Sequence, residues 1–307
     1  MLDRSRIGTC RKRSGFTLVE LLVTFTIIAI LGALLAGGVM SWMSGQARRN
    51  TDTQIQTLHK AVMQHWDAVV TDAKNEKTIP PAVLAFADNS PDRARVIWIK
   101  TRLMEAFPVN FSEIKNAYTM PPLSNIPFDK RRYMANYANS LPAGYSAAAP
   151  GKTESAACLL MAIGINRGGI VHGREQLQSF TRDTNNDKVL ELIDGWGEPL
   201  YFYRFATGNA DLQASKPSTL VTPNCDPLDP KGLLGATWGS AKAGLFNIQF
   251  HNRLASATEQ WYAVPAIASS GRNLVLGHVA NSTPPYQDMS IAVPADANDN
   301  VYSFRIR

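Results

Sequence analysis

Residues 13–47 read RSGFTLVELLVTFTIIAILGALLAGGVMSWMSGQA and decide the fold of the N-terminal part of the chain. Positions 21–47 carry no charged side chain. As a helix, these 27 residues would be about 40 Å long. That length exceeds the roughly 30 Å hydrocarbon core of a bilayer. The sequence therefore predicts a helix that can cross a membrane.

The positive charge of the chain is concentrated at its N-terminus. Residues 1–15 carry five basic and one acidic side chain, whereas the other 292 residues carry 26 basic and 24 acidic side chains. The overall net charge of +6 therefore does not indicate a nucleic-acid-binding surface. Basic residues on one side of a membrane helix predict an N-terminus in the cytoplasm and translocation of the rest of the chain.

Length and composition bound the remaining possibilities. The chain has 307 residues, of which 45% are hydrophobic and 18% are charged. This allows one large domain or two ordinary ones, each with a normal hydrophobic core. The 21 glycines and 18 prolines are close to average abundance, which excludes collagen-like and low-complexity proteins.

One carboxylate, Glu20, stands at the start of the uncharged run. A charge there costs a few kcal/mol in lipid unless it is paired, so its presence indicates a function. The segment Gly-Phe-Thr-Leu-Val-Glu at 15–20 resembles the prepilin processing signal of type IV pilins and type II secretion pseudopilins. The resemblance implies that prepilin peptidase cuts between Gly15 and Phe16 and methylates the new N-terminus of Phe16. It also implies that Glu20 pairs with the terminal ammonium of a neighbouring subunit and sets the register of a filament.

Two other interpretations of the N-terminus remain. In the first, the segment is an ordinary signal peptide, because the small residues Ala36-Gly37-Gly38 offer a cleavage site and a mature chain starting at Val39. In the second, the helix is a simple membrane anchor that does not assemble. Glu20 argues against the signal peptide, since it would interrupt the apolar core without a purpose.

A long helix is expected to continue beyond the membrane segment. Apolar residues recur three or four positions apart, which predicts one buried stripe on a helix running from about 16 to about 73: Ile55, Leu58, Val62, Trp66 and Val69. The Gly37-Gly38 pair could kink this helix. The stripe needs a sheet to cover it. The resemblance implies an α+β, pilin-like fold, in which the helix packs on a C-terminal antiparallel sheet with extra helices and loops. The expected segments are a leader (1–15), a transmembrane assembly helix (16–45), its amphipathic half (46–75) and an extracytoplasmic head (76–307).

Within the head, the pattern predicts several shorter elements. Two helices are expected at 93–106 and 154–164. Strands are expected at 198–206, 260–268 and 301–307, where β-branched and aromatic residues are enriched. Residues 118–150 have weak periodicity and are expected to form a loop.

A calcium loop is the clearest candidate metal site. Oxygen donors stand at the ligand spacing of an EF-hand-like loop, at positions 1, 3, 5, 9 and 12, with a backbone carbonyl at position 7: Asp183, Asn185, Asp187, Glu191, Asp194 and the carbonyl of Val189. The loop departs from that pattern at position 6, where Lys188 replaces the turn glycine. The alternative is a solvated turn before a strand.

Three C-terminal stretches resemble the major pseudopilin of type II secretion. They are residues 194–201 with Trp-Gly-x-Pro, the loop 269–273 and the segment 298–302. In that family the latter two loops hold a structural calcium, which implies a second, weaker set of ligands: Asn273, Asn298 and Asp299. Asparagine replaces two of the family's carboxylates here, so weaker binding is expected. The alternative is ordinary turn chemistry.

The cysteines and the missing catalytic motifs complete the prediction. Cys10 lies in the expected leader, so Cys158 and Cys225 remain in a translocated head and are predicted to form a disulfide. The alternative is two separate buried cysteines. The five histidines are scattered, and no HExxH, GxSxG or Cys-x-x-Cys motif occurs.

The sequence therefore favours a structural subunit over an enzyme. The expected partners are prepilin peptidase, other pilin or pseudopilin subunits and the inner membrane, with no indication of nucleic acid, and calcium is the one cofactor indicated. The choice between a secretion filament and a pilus stays open. A minor pilin whose head binds a surface, DNA or a secreted substrate is the alternative, and a calcium-dependent hydrolase is a third hypothesis that lacks a catalytic constellation.

Overall fold

The computed structural model describes residues 17–115, 141, 153–167, 177–220, 225–235, 238, 261–278 and 289–305. The leader, Phe16 and nearly all of the predicted loop 118–150 lie outside the described residues. The chain divides into two compact units, Met1–Gln46 and Ala47–Arg307.

Helix α1 (Leu18–Asn75) has 58 residues and confirms the predicted long helix. It continues through Gly37 and Gly38 without a break, and the kink expected there stays a prediction. In the first unit its large apolar side chains are exposed by about half or more, among them Leu18, Phe25, Ile28, Leu35 and Trp42.

In the second unit, the predicted stripe of α1 lies in the hydrophobic core. All five stripe residues are buried: Ile55, Leu58, Val62, Trp66 and Val69. The Trp66 ring lies 5.6 Å from the ring of Phe205 on the sheet, measured between centroids. It lies 5.6 Å from the ring of Phe107 by the same measure. Packing on these rings, rather than helix propensity, explains why this half of α1 has a defined buried face.

The described part of the second unit also contains short helices: α2 (Pro81–Phe86), α3 (Pro91–Ala106), α4 (Phe111–Lys115), α5 (Glu154–Ile163) and α6 (Ala210–Ala214). A 3-10 turn at Gln178–Phe180 lies between α5 and α6 in the chain. Helices α2 and α3 each carry a proline in the first turn, where the missing N–H is tolerated. The predicted helices 93–106 and 154–164 are confirmed as α3 and α5.

The described residues form two antiparallel sheets. The hairpin consists of β1 (Thr181–Arg182) and β2 (Glu191–Leu192). The larger sheet has the order β3 (Tyr201–Ala206), β4 (Val264–Ser269) and β5 (Val301–Tyr302). The predicted C-terminal strand is shorter than expected, because a turn follows at residue 303.

The larger sheet is covered on both faces. Phe202 and Ile267 belong to the core that includes α1. Tyr203 and Tyr302 pack in a separate apolar cluster. Alternate residues of β3 thus point into different clusters, as strand geometry requires.

Helix α3 buries charged side chains as well as apolar ones. Besides its apolar face, the structure also buries charged residues, which are paired with carboxylates. These pairs are Lys100 with Asp226 (2.6 Å), Arg102 with Glu76 (2.6 Å) and Arg102 with Glu105 (2.7 Å). A charge can be buried at this depth because a partner charge accompanies it.

Candidate functional site

The first candidate site is the start of α1. The carbonyl of Thr17 accepts the backbone N–H of Leu21 at 3.2 Å, so Thr17 is the N-cap of the helix. Its backbone N–H and its hydroxyl donate to Glu20 Oε2 at 2.8 and 2.9 Å. The Glu20 N–H donates back to the Thr17 hydroxyl at 3.2 Å. This reciprocal arrangement is a capping box.

The capping box gives Glu20 a second role that the sequence analysis missed. The signal was readable, because Thr17 and Glu20 stand at the Ser/Thr-x-x-Glu spacing of a capping box before an apolar run. Both bonds to the carboxylate use Oε2. Within the described chain this leaves Oε1 as an acceptor for a further partner.

The helix that follows this cap exposes an apolar surface. Residues Leu18–Leu35 are long and apolar enough to cross a membrane, by length and composition. The large apolar side chains that the structure describes between Leu18 and Met43 are exposed. Such a surface is stable only against lipid or against other apolar helices, because apolar area exposed to water is unfavourable.

The second candidate site is a group of three carboxylates at the β1–β2 hairpin. Asp183, Asp187 and Glu191 each offer one oxygen, and these oxygens lie within 4.8 Å of one another. Asp183 directly follows β1, and Glu191 begins β2 opposite Arg182 in the antiparallel register. The strand pairing therefore fixes both ends of the loop. Among the described residues this is the group of titratable side chains that could hold a metal ion.

Hydrogen bonds within the loop position these carboxylates. Asp183 accepts the N–H groups of Asp187 at 3.2 Å and Lys188 at 3.0 Å. Asp187 accepts the N–H of Val189 at 2.8 Å and the side-chain amide of Asn185 at 2.9 Å. Lys188 takes a positive φ of 72°, the conformation in which a glycine was expected. The loop thus forms its turn without the glycine.

Glu191 is the buried member of the group. Its side chain is 1% exposed, and Oε2 accepts the N–H and the hydroxyl of Thr184 at 2.8 and 3.2 Å. Its other oxygen, Oε1, is buried and has no hydrogen-bond partner in the described chain. Burial raises the pKa of Glu191, and the negative charges of Asp187 and Asp183 raise it further.

The structure does not bring Asp194 to this group. Its Oδ1 accepts the N–H groups of Trp196 and Glu198 at 2.9 and 3.0 Å. Its Oδ2 accepts the Ser269 hydroxyl at 2.6 Å. Burial raises the pKa of Asp194. Asp194 therefore organises the turn between β2 and β3 and connects it to β4. The third carboxylate of the group with Asp183 and Asp187 comes from Glu191.

That turn also touches α1 in the second unit. The N–H of Gly195 donates to the Thr51 hydroxyl at 2.8 Å. A Cβ on Gly195 would lie 2.2 Å from the carbonyl oxygen of Ala47, so no larger residue fits. The Trp-Gly-x-Pro stretch thus includes a close contact between a turn and the helix.

The weaker calcium set is partly assembled. The backbone N–H of Asn273 donates to Asp299 Oδ2 at 2.9 Å, which joins the two loops directly. The Asn273 amide donates to the carbonyl of Asp296 at 2.7 Å. Asn298 is exposed. The two loops are therefore held by amide donors, and a calcium ion there stays a prediction.

The structure does not show the predicted disulfide, which stays a prediction. Cys158 and Cys225 are both buried and are not joined. Cys158 lies on α5 in a small apolar cluster with Phe111 and Val189, and that cluster does not include Cys225. Burial raises the pKa of the Cys158 thiol well above its ordinary value. An even cysteine count alone carries no information on the distance between the two thiols.

Comparison with known proteins identifies the first site. The family model described as the prokaryotic N-terminal methylation motif matches residues 10–36, which include Gly15, Phe16 and Glu20. No curated protein and no solved structure matches the chain significantly. The likeness of the C-terminal stretches to the major pseudopilin stays a prediction. The chain therefore carries, at its N-terminus, the methylation signal of the type IV pilins.

Proposed function

We propose that the chain is a structural subunit, a pseudopilin or a minor pilin, of a type II secretion or type IV pilus-like filament. Prepilin peptidase cuts it after Gly15 and methylates Phe16. The helix from Phe16 to about residue 50 then packs against the same helix of neighbouring subunits. One observation carries the proposal: the methylation signal at 10–36 leads directly into a helix whose apolar side chains are exposed.

The exposed helix surface gives a physical reason for assembly. Before assembly, lipid covers the apolar side chains of residues 18–43. In a filament, helices from other subunits cover them instead, and dispersion contacts between helices replace contacts with lipid. No charge interrupts positions 21–47, so the whole segment can pack without burying an unpaired charge.

Glu20, the charged residue directly before this uncharged segment, sets the register between neighbouring helices. In the filament its carboxylate lies among apolar helices and needs a positive partner. Cleavage after Gly15 creates such a partner, the methylated ammonium of Phe16 in the adjacent subunit. The orientation follows from the basic residues Arg11, Lys12 and Arg13, which hold the leader in the cytoplasm and send the head out of it.

Substitution of the glycine at the cleavage site tests the proposal. We expect Gly15→Val to leave an uncut chain, 15 residues longer than the mature one, that is absent from filaments sheared from cells. Gly8→Val is the matched control, since it changes another glycine of the same leader away from the cut. Normal filament incorporation of Gly15→Val, or equal failure of both variants, would contradict the proposed processing.

A second candidate is a minor pilin whose head binds a partner. The observation that favours it is a set of apolar side chains on two adjoining loops, each exposed by 40% or more: Leu274, Val275, Ile291 and Val293. Backbone bonds from residues 292 and 293 to the Gly277 carbonyl join the loops. If Leu274→Ser with Val275→Ser abolishes adhesion or secretion while filaments still form, the head acts as a binding module. If both activities persist, this candidate fails.

A further inference from the structure

The loop between β1 and β2 places like charges together in a way that requires an explanation. Three carboxylate oxygens, from Asp183, Asp187 and Glu191, lie within 4.8 Å of one another. In the described chain, no ion pair joins a lysine, arginine or histidine to any of them. Lys188, the basic residue of the loop, is exposed. Carboxylates at this separation repel one another unless a cation or a proton lies between them.

A second observation points to a ligand. Glu191 is 1% exposed, and its Oε1 has no donor in the described chain although its carboxylate faces the two aspartates. Buried carboxylate oxygens are satisfied by donors or by metal ions, because an unsatisfied one loses its hydration without compensation. Thr184 satisfies Oε2 only. Glu191 Oε1 therefore has no hydrogen-bond donor among the described residues.

The chemistry of the group selects the ion. The group contains only oxygen donors, and no cysteine or histidine belongs to it, which disfavours zinc and copper. Calcium binds oxygen ligands at about 2.3–2.6 Å, so two opposite ligands are roughly 4.6–5.2 Å apart. Three oxygens within 4.8 Å of one another can all reach one such ion. Magnesium draws its ligands to about 2.1 Å in a strict octahedron and retains water, which suits a hairpin loop less well.

We propose that Asp183, Asp187 and Glu191 bind a Ca²⁺ ion in the hairpin loop. Asn185 and the carbonyl of Val189 remain candidates for further ligands, and water completes the coordination. The proposal goes beyond filament assembly and does not depend on it. It also revises the ligand set expected from spacing, since Glu191 at position 9, and not Asp194 at position 12, supplies the third carboxylate.

Calcium would stabilise a junction of several elements. The loop contacts the start of α5, because the Asn185 amide donates to the Thr153 hydroxyl at 3.2 Å. Strand β2 then leads into the turn whose Gly195 N–H donates to Thr51 on α1. An ion that holds the hairpin therefore also restrains the segment that reaches α1.

Thermal unfolding of the full mature chain in detergent, with CaCl₂, MgCl₂ or EGTA, tests the site. At about 5 mM CaCl₂ we expect the Tm to rise by at least roughly 2 °C over EGTA, as for a site of millimolar or tighter affinity. MgCl₂ should give a smaller rise. Glu191→Gln should abolish the calcium response and should not lower the Tm in EGTA, because it removes a repulsive charge and keeps an acceptor for Thr184. A purely structural role for Glu191 predicts the opposite, a lower Tm in EGTA.

Asp299→Asn is the matched control, because it removes one carboxylate from the other pair of loops. We expect it to retain the calcium response. The proposal is overturned if CaCl₂ gives no more stabilisation than MgCl₂ in the wild-type chain. It is also overturned if Asp299→Asn loses the response while Glu191→Gln keeps it, since the ion would then lie in the C-terminal loops.

Discussion

Glu20 has two possible roles in assembly, and the structure allows them to be separated. In the single chain, its Oε2 accepts two bonds from Thr17 and caps the helix. In a filament, its charge would pair with the N-terminus of a neighbouring subunit. Glu20→Ala removes both roles. Glu20→Gln removes only the charge, because glutamine also serves at this position of a capping box.

The two roles differ in expected magnitude. Loss of a helix cap costs about 1 kcal/mol, or roughly a fivefold change in an equilibrium. Removing one partner of a buried ion pair costs about 3–5 kcal/mol, a loss of roughly 10²-fold to several thousandfold. If the charge sets the register, Glu20→Gln should impair assembly nearly as much as Glu20→Ala.

Quantitative immunoblotting of sheared filaments, divided by the amount of processed protein in the membrane, provides the assay. We expect both Glu20 variants to be cut normally and to be strongly depleted from filaments. Thr17→Val is the matched control, since it removes the hydroxyl of the cap and keeps the carboxylate. It should reduce the filament fraction by no more than several-fold.

The opposite pattern would refute this reasoning. If Glu20→Gln assembles like the wild type while Glu20→Ala does not, the carboxylate acts as a cap and its charge is dispensable. If both variants assemble normally, neither role limits assembly.

Three further predictions concern the head. Replacing Arg204 with Ala leaves the buried carboxylate of Glu113 without the guanidinium that contacts it at 2.9 Å. Chemical denaturation should then show that the free energy of unfolding falls by about 3–5 kcal/mol, and Arg204→Met combined with Glu113→Gln should recover most of it. A decrease below about 1 kcal/mol would contradict the buried pair. Gly195→Ala places a Cβ 2.2 Å from a carbonyl oxygen of α1, so the free energy of unfolding should fall by about 1–3 kcal/mol, and an unchanged Tm would argue against this close contact. Because burial raises the pKa of Cys158, the folded protein should resist iodoacetamide at that residue near pH 8. The unfolded mature chain, without reductant, should be labelled at both Cys158 and Cys225. If the unfolded chain is labelled at neither cysteine, the two form a disulfide.

Much of the fold could be predicted because its signals are local. The uncharged run and the spacing of Ile55, Leu58 and Val62 specify both halves of α1. Helices α2, α4 and α6 have five or six residues, too few to show a helical period. The burial of α3 was also missed. The partner of a buried charged side chain there, such as Asp226 for Lys100, lies far away in the sequence.

The metal site shows the limit of reasoning from spacing. Position 12 of the loop has the expected carboxylate, but Asp194 forms its own turn with the N–H groups that follow it. Local side-chain bonds of this kind compete with other roles for aspartate. Glu191 reaches the group because strand pairing places it opposite Arg182, beside Asp183. Pairing between strands of two residues cannot be deduced from their composition.

The central claim is that the chain is processed and methylated as a filament subunit. Mass spectrometry of the mature N-terminus, in membranes from cells with and without prepilin peptidase, tests it most directly. The account predicts a peptidase-dependent chain that begins at N-methylated Phe16. A chain that begins at Val39, or one that stays uncut when the peptidase is present, would contradict it.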